Sequence, residues 1–224
     1  MKLLQKSLIF LSIPLFSSIS HADINKKYDV IAIGNALVDV IAYTSEEEMI
    51  RIMPPNFRKG DTVKISESIA DDIVAKMTNP TIIPGGSSAN TMVDIASLGG
   101  KTAFNSIVAD DELGRLFVDS LREANVDYLS PFAKNNGKKT ARCITFITPD
   151  KDRTFAVSTD IINDLDDSFI DYEAIKNSKI IYTDSSSLDD GGVRSKTVIS
   201  SYDIAHNNNT LSAFNLNNNY YIEN

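Results

Sequence analysis

One cysteine and two histidines are all that these 224 residues offer to sulfur and imidazole chemistry. A single cysteine, Cys143, excludes an internal disulfide, and only His21 and His206 could serve a thiolate nucleophile as base. The same scarcity argues against a zinc centre. Inside Arg142-Cys143-Ile144-Thr145-Phe146 the thiol reads instead as a small apolar strand residue. Basic charge is also in short supply: 22 Lys and Arg against 30 Asp and Glu leave a net charge of −8, with no basic cluster. Such a surface repels phosphate backbones and anionic lipid, which sets aside nucleic-acid or membrane-surface binding as the main activity. A comfortable membrane span is missing too. The apolar run at residues 7–19 is too short for one. It follows Lys2 and Lys6 and precedes Ser20-His21-Ala22, so residues 1–22 have the layout of a secretory leader, which taken alone predicts a periplasmic or secreted protein.

What is present is the composition of an ordinary globular domain, 42% hydrophobic and 23% charged. From Tyr28 onward extended and helical patterns alternate. Residues 28–34 form a β-branched, nearly all-apolar run ending in glycine, the mark of a buried central strand. Residues 36–43 continue extended, and Ser45-Glu46-Glu47-Glu48 opens a short helix with acids in its first turn. A helix over 66–77 places Ile69, Ile73, Val74 and Met77 at helical spacing, and 81–84 is a short strand. The next helix turns Ala89, Met92, Val93 and Ala96 to the core and stops at Gly99-Gly100. A strand over 101–108 and a helix over 110–124 follow, with Leu113, Leu116, Phe117 and Leu121 inward. Extended runs at 141–148 and 153–159 are joined by Pro149-Asp150-Lys151-Asp152, good hairpin chemistry. A buried strand at 179–183, a helix over 193–206 and a last strand near 211–214 precede the Asn-rich tail, 217–224. The alternation predicts an α/β fold with a mostly parallel sheet, and the hairpin a small antiparallel flap beside it.

Two polar clusters carry the candidate chemistry. In Gly34-Asn35-Ala36-Leu37-Val38-Asp39, Asn35 and Asp39 lie four apart after a strand, and in an extended chain both face one way. The Asp39 carboxylate can accept two hydrogen bonds, which matches a vicinal diol, and Asn35 adds a donor and an acceptor. The same residues also suit a turn capped by Asn35 with Asp39 in water. In Pro84-Gly85-Gly86-Ser87-Ser88-Ala89-Asn90, two glycines let backbone approach a ligand at a helix amino end, and Ser87 and Asn90 share one helical face. This is neither a Walker loop nor GxGxxG spacing, and it suits a neutral polyol. It equally suits a glycine-rich turn with Ser87 as the cap.

Four stretches then occur in one order: 28–39 (YDVIAIGNALVD), 84–90 (PGGSSAN) running into 95–100 (IASLGG), 108–116 (VADDELGRL) and 140–154 (TARCITFITPDKDRT). In order and wording they resemble the ribokinase-like (PfkB family) carbohydrate kinases, adenosine kinase branch, over about residues 26–182. The resemblance implies a ribokinase-like three-layer α/β sandwich with a small β lid, its strands at about 36–43, 62–66, 141–148 and 153–159. It implies that Asn35 and Asp39 hold sugar hydroxyls, that Gly85, Gly86 and Asn90 line the site, and that Ser87 supports the turn. Family members are cytoplasmic enzymes that use ATP and Mg²⁺ to phosphorylate the primary hydroxyl of a small-molecule sugar or nucleoside.

The chain departs from that pattern late. The family's Asp-Thr-x-Gly-Ala-Gly-Asp motif, source of its catalytic base and anion hole, does not occur; the only Asp-Thr pair is Asp61-Thr62. The expectation is therefore a domain over 26–216 that is incomplete at its C-terminus, with no catalytic residue and no cofactor site of its own. It would be an inactive kinase fragment, or a non-catalytic sugar-binding protein, possibly exported. Ser106, Asn125, Asp160 and Ser185 stand where relatives have glycine. Where such a backbone needs a positive φ, the replacement costs on the order of 1 kcal/mol.

Overall fold

Strand β1 (Tyr28–Ile33) is apolar on both faces because it is covered on both. In the computed structural model, which describes residues 26–216 except 56, 135–136 and 189–190, it is the middle strand of a five-stranded sheet. The leader-like residues 1–22 and the tail 217–224 lie outside the described residues. The sheet holds β5 (Thr102–Asn105), β6 (Val126–Tyr128), β9 (Ser178–Asp184) and β10 (Leu211–Asn215) in the order β10-β9-β1-β5-β6, every pairing parallel. Successive β1 residues feed opposite cores, as the period of two requires. Val30 and Ala32 pack with Phe104, Met92 of helix α3 (Ser87–Ser97) and Phe117 of α4 (Glu112–Glu123). Ile31 and Ile33 pack with Ile161, Ile175 of α5 (Tyr172–Lys176) and Val198 of α6 (Val193–Asn207). The three layers are those of the α/β sandwich expected.

A second sheet lies beside the first. It contains β2 (Leu37–Tyr43), β3 (Thr62–Lys64), β4 (Thr81–Gly85), β7 (Arg142–Ile147) and β8 (Arg153–Ser158), in the order β3-β8-β7-β2-β4. Its outer face, through Val40, Ala42, Ile144, Phe146 and Ala156, forms a separate core with α1 (Glu46–Ile52) and α2 (Glu67–Lys76). Ser45 and Ser66 cap these helices, their hydroxyls accepting from the Glu48 and Ile69 amides at 3.2 and 3.4 Å. At the β7–β8 turn Lys151 takes φ +67° and donates its N–H to Thr148 O at 2.8 Å.

The flap differs from the antiparallel expectation. Its β2–β7 and β3–β8 pairs are parallel, while β2–β4 and β7–β8 are antiparallel. β4 belongs to it as an edge strand, which its Pro84 suits, since proline cannot donate to a second neighbour. Short β6 and α5 lie where no element was expected. One inward assignment fails: Leu116 is 39% exposed, and Gly114 and Val118 take the buried face; on α2, Ile69 is 40% exposed while Ala70 and Ile73 are buried. Of the four replaced glycines only Asn125 needs the left-handed region, at φ +61°, where it follows the end of α4. The outer edge of β10 has no strand neighbour among the described residues. No helix among the described residues is long and apolar enough to cross a membrane.

Candidate functional site

The chain leaves the central sheet at Gly34 and enters the flap at Leu37. Ser106 secures this crossover: its hydroxyl donates to Gly34 O at 2.6 Å and accepts from Ala36 N at 2.9 Å. A serine in place of glycine is thus a fastener here, not a source of strain. Gly34 itself permits close packing, since a Cβ there would lie 2.5 Å from Ser88 Cβ.

In the flap, β2 runs antiparallel to β4, with Leu37 opposite Gly85 and Asp39 opposite Ile83. The Asp39 carboxylate lies over Gly85, where an added Cβ would sit 2.3 Å from Oδ2. Gly86 takes φ +105°, and the space a side chain would need is filled by the Asn35 carbonyl at 2.5 Å. The two polar clusters, about fifty residues apart in the chain, therefore meet at the amino end of α3. Gly86 is the N-cap of that helix and Ser87 its exposed first residue, so Ser87 is not the cap. Asn90, also exposed, closes the first turn by donating its N–H to Gly86 O at 2.9 Å. The first-turn amides of such a helix end point outward, toward any acceptor set before it.

Asp39 also stands in a cross-strand row. The registers place Ile83, Asp39, Cys143 and Val157 side by side on one face, and Ile41, Thr145 and Phe155 in the next row. Burial raises the Asp39 carboxyl above its ordinary value, and a contact from the Cys143 thiol partly offsets this. The thiol is pushed up to about 11, chiefly by burial, and so is a poor nucleophile, in keeping with a strand residue.

Asn35 behaves otherwise than even spacing implied. The run is not one strand: the chain turns over 34–36, and the Asn35 amide faces the carboxyl end of β9. Its Nδ2 donates to Ser186 Oγ at 3.1 Å, and its Oδ1 accepts from Arg194 at 3.4 Å. Behind them Asp184, 1% exposed, accepts from Ser88 Oγ at 2.6 Å and from both the amide and the hydroxyl of Ser186. Ser88, Asp184, Ser186 and Arg194 were not anticipated as parts of this region. One signal pointed to Asp184: an acid ending an apolar parallel strand lies at the end of the sheet where such folds place ligands.

A cleft of about 740 Å³ lies between Phe132 and Phe169 and includes Lys134, Asp164 and Asp166. There Asp164 already receives Lys138 Nζ at 2.6 Å on both oxygens, so its charge is engaged. The Asp39–Gly85–Gly86 junction instead sets a carboxylate acceptor and a partly apolar strand row beside the amino end of α3.

Comparison with known proteins agrees with this architecture. The profile of the pfkB family carbohydrate kinases matches residues 27–220. A probable fructokinase-6, chloroplastic, of Arabidopsis thaliana is 35% identical over 109 residues, 47% of this chain and 28% of that protein. A 5-dehydro-2-deoxygluconokinase of Geobacillus kaustophilus is 30% identical over 134 residues, covering 59% of this chain and 40% of its own length. The crystal structure of adenosine kinase from Sinorhizobium meliloti superposes with a TM-score of 0.74 and 29% identity, over 88% of this chain and 59% of that one. The matches thus span well under two thirds of each relative.

Proposed function

Since the chain belongs to the pfkB family of carbohydrate kinases, we propose that it grips the hydroxyls of a sugar or nucleoside between Asp39 and the Gly85–Gly86 turn. The observation that carries this reading is the Asp39 carboxylate lying over Gly85, in the space that residue 85 leaves to it by having no side chain. Asp39 accepts from two neighbouring hydroxyls, and Gly85 makes room for its carboxylate beside the amino end of α3. Ser87 and Asn90 offer side-chain partners from the first turn of α3. Asn35, fixed by Ser186 and Arg194, shapes the opposite rim. The row of Ile83, Cys143 and Val157 beside Asp39 favours a ligand with an apolar face next to its diol, hence a ribonucleoside over a simple pentose.

This reading gives the chain the sugar side of the reaction only. No Gly-Ala-Gly-Asp run occurs in the 224 residues, so no residue here is assigned to the base, to ATP or to Mg²⁺. Phosphoryl transfer depends on positioning and charge stabilisation at the γ-phosphate, and the polyol junction provides neither. We therefore propose binding without ATP turnover by this chain alone. The test is calorimetric titration with adenosine, ribose and fructose, plus a coupled ATPase assay. Heat of adenosine binding that vanishes in Asp39→Ala supports the reading; no binding of any of the three by the native chain sinks it. The leader-like residues 1–22 favour a second reading, an exported sugar binder, which requires mature protein beginning at Asp23 outside the cytoplasm.

A further inference from the structure

The stretch Val108–Leu116, singled out in the sequence, takes no part in the polyol junction. Its Asp111 nevertheless holds the strand that brings Cys143 to Asp39. Both oxygens of Asp111 reach Thr140, a fully buried residue just before β7: Thr140 N donates to Oδ2 at 2.9 Å and Thr140 Oγ1 to Oδ1 at 2.7 Å. The hydroxyl also accepts from Ala109 N at 3.0 Å. Gly114 makes this approach possible, since a Cβ there would meet Ala109 O at 2.2 Å and Thr140 Oγ1 at 2.8 Å.

The next residues pass the strand from one layer to the other. Thr140 is tied to the central layer. Ala141 O accepts from Val38 N at 3.0 Å, where β2 begins. Arg142 bonds Asp71 at 2.8 Å and Glu67 at 3.0 Å, both on α2 of the flap. Cys143 then pairs with Asp39. A mere helix cap would explain only the bond from Gly114 N to Oδ1 at 2.7 Å; the bond from Thr140 N to Oδ2 contributes nothing to α4.

We propose that Asp111 and Thr140 are a positioning pair, the anchor that fixes where β7 leaves the central layer and so sets the spacing between the Cys143–Val157 row and Asp39. Its consequence for ligand affinity rests on the polyol reading above; the anchor itself does not. Cys143, the only cysteine, reports that spacing directly through its rate of reaction with a small maleimide.

The experiment compares Thr140→Val, Thr140→Ser and the native chain, each below its melting temperature. In Thr140→Val, maleimide labelling accelerates and adenosine binding weakens, each by at least about tenfold, because Asp111 loses one hydrogen bond and Ala109 N loses its acceptor. Thr140→Ser, which keeps the hydroxyl, restores both. A native labelling rate in folded Thr140→Val overturns the proposal. If that variant does not fold, Asp111→Asn replaces it, because its amide can still accept from Gly114 N but offers Thr140 N no second acceptor. Faster labelling there supports the anchor and an unchanged rate overturns it. Should the native chain bind no polyol while the labelling rates still separate, the anchor stands and the polyol reading falls.

Discussion

Replacing Gly85 by alanine adds one methyl group at the point where the polyol reading is most exposed. The new Cβ would lie 2.3 Å from Asp39 Oδ2, and an ordinary contact begins near 3.4 Å, so the carboxylate has to move by about 1.1 Å. A hydrogen bond of about 2.8 Å does not survive such a shift without passing 3.5 Å. Each hydrogen bond to a charged acceptor is worth about 1.5–3 kcal/mol, so losing one weakens binding by about ten- to a hundredfold. The fold suffers much less, because the displaced group is the far end of a half-buried side chain, and alanine in place of glycine lowers the entropy of the unfolded chain. The expected result of paired calorimetry and thermal melts is a collapse of adenosine affinity with a melting temperature within about 5 °C of the native value. Native affinity in Gly85→Ala would refute the reasoning outright, because Asp39 could not then be using the position it occupies here.

Three further outcomes follow from the same geometry. Gly86→Ala forces a side chain at φ +105° against the Asn35 carbonyl, 2.5 Å away, so it lowers stability by more than about 1 kcal/mol, read as a drop in urea midpoint. Arg142→Leu leaves Glu67 and Asp71 without their buried cation; unfolding free energy falls by about 3 kcal/mol, the lower end for a broken buried pair because Asp71 keeps water contact. Because burial raises the Asp39 pKa above 3.8, the folded chain takes up its proton more readily than the unfolded chain does. Across the window just above 3.8, the contribution of Asp39 to stability therefore rises as pH falls, opposed by that of Asp29, Asp71 and Asp150, whose pKa values are lowered, while diol affinity drops as the carboxylate is lost. Titrations of native chain and Asp39→Asn from neutral pH downward check this, since the difference between their stability profiles isolates the Asp39 contribution.

Much of the frame could be read from local pattern. The β1 run, the Ser45 and Ser66 caps and the hairpin at 149–152 are decided by residues within a few positions of one another. The assignment of strands to sheets is not decided that way. Thr81-Ile82-Ile83 reads as a short strand without saying which sheet it joins, and both isoleucines are more than 40% exposed at the edge of the flap. Pro84 was the clue to that edge. The face of α4 was misread at Leu116 because tertiary contacts, among them those with β6, select among several apolar stripes. In the candidate site, glycine spacing suggested room for a ligand at the backbone, whereas the Asp39 carboxylate and the Asn35 carbonyl take the positions that Gly85 and Gly86 leave open. The Asn35 environment was illegible, since Ser186 and Arg194 are 151 and 159 positions away and no local rule links them to a turn at residue 35. Ser106 shows the opposite error: a missing glycine suggested strain, but the backbone there has an ordinary φ and the hydroxyl is used.

The flap owns a hydrophobic interior that borrows little from the central layers: Met49, Ile52 and Ile73 close over Val40, Ile144 and Phe146. Amides of α2, β7 and β8 consequently exchange with deuterium as one block, at a rate set by a shared opening rather than by individual exposure. A small molecule bridging Asp39 to the α3 end would slow exchange throughout that block, including helical amides on its far side that the molecule never touches.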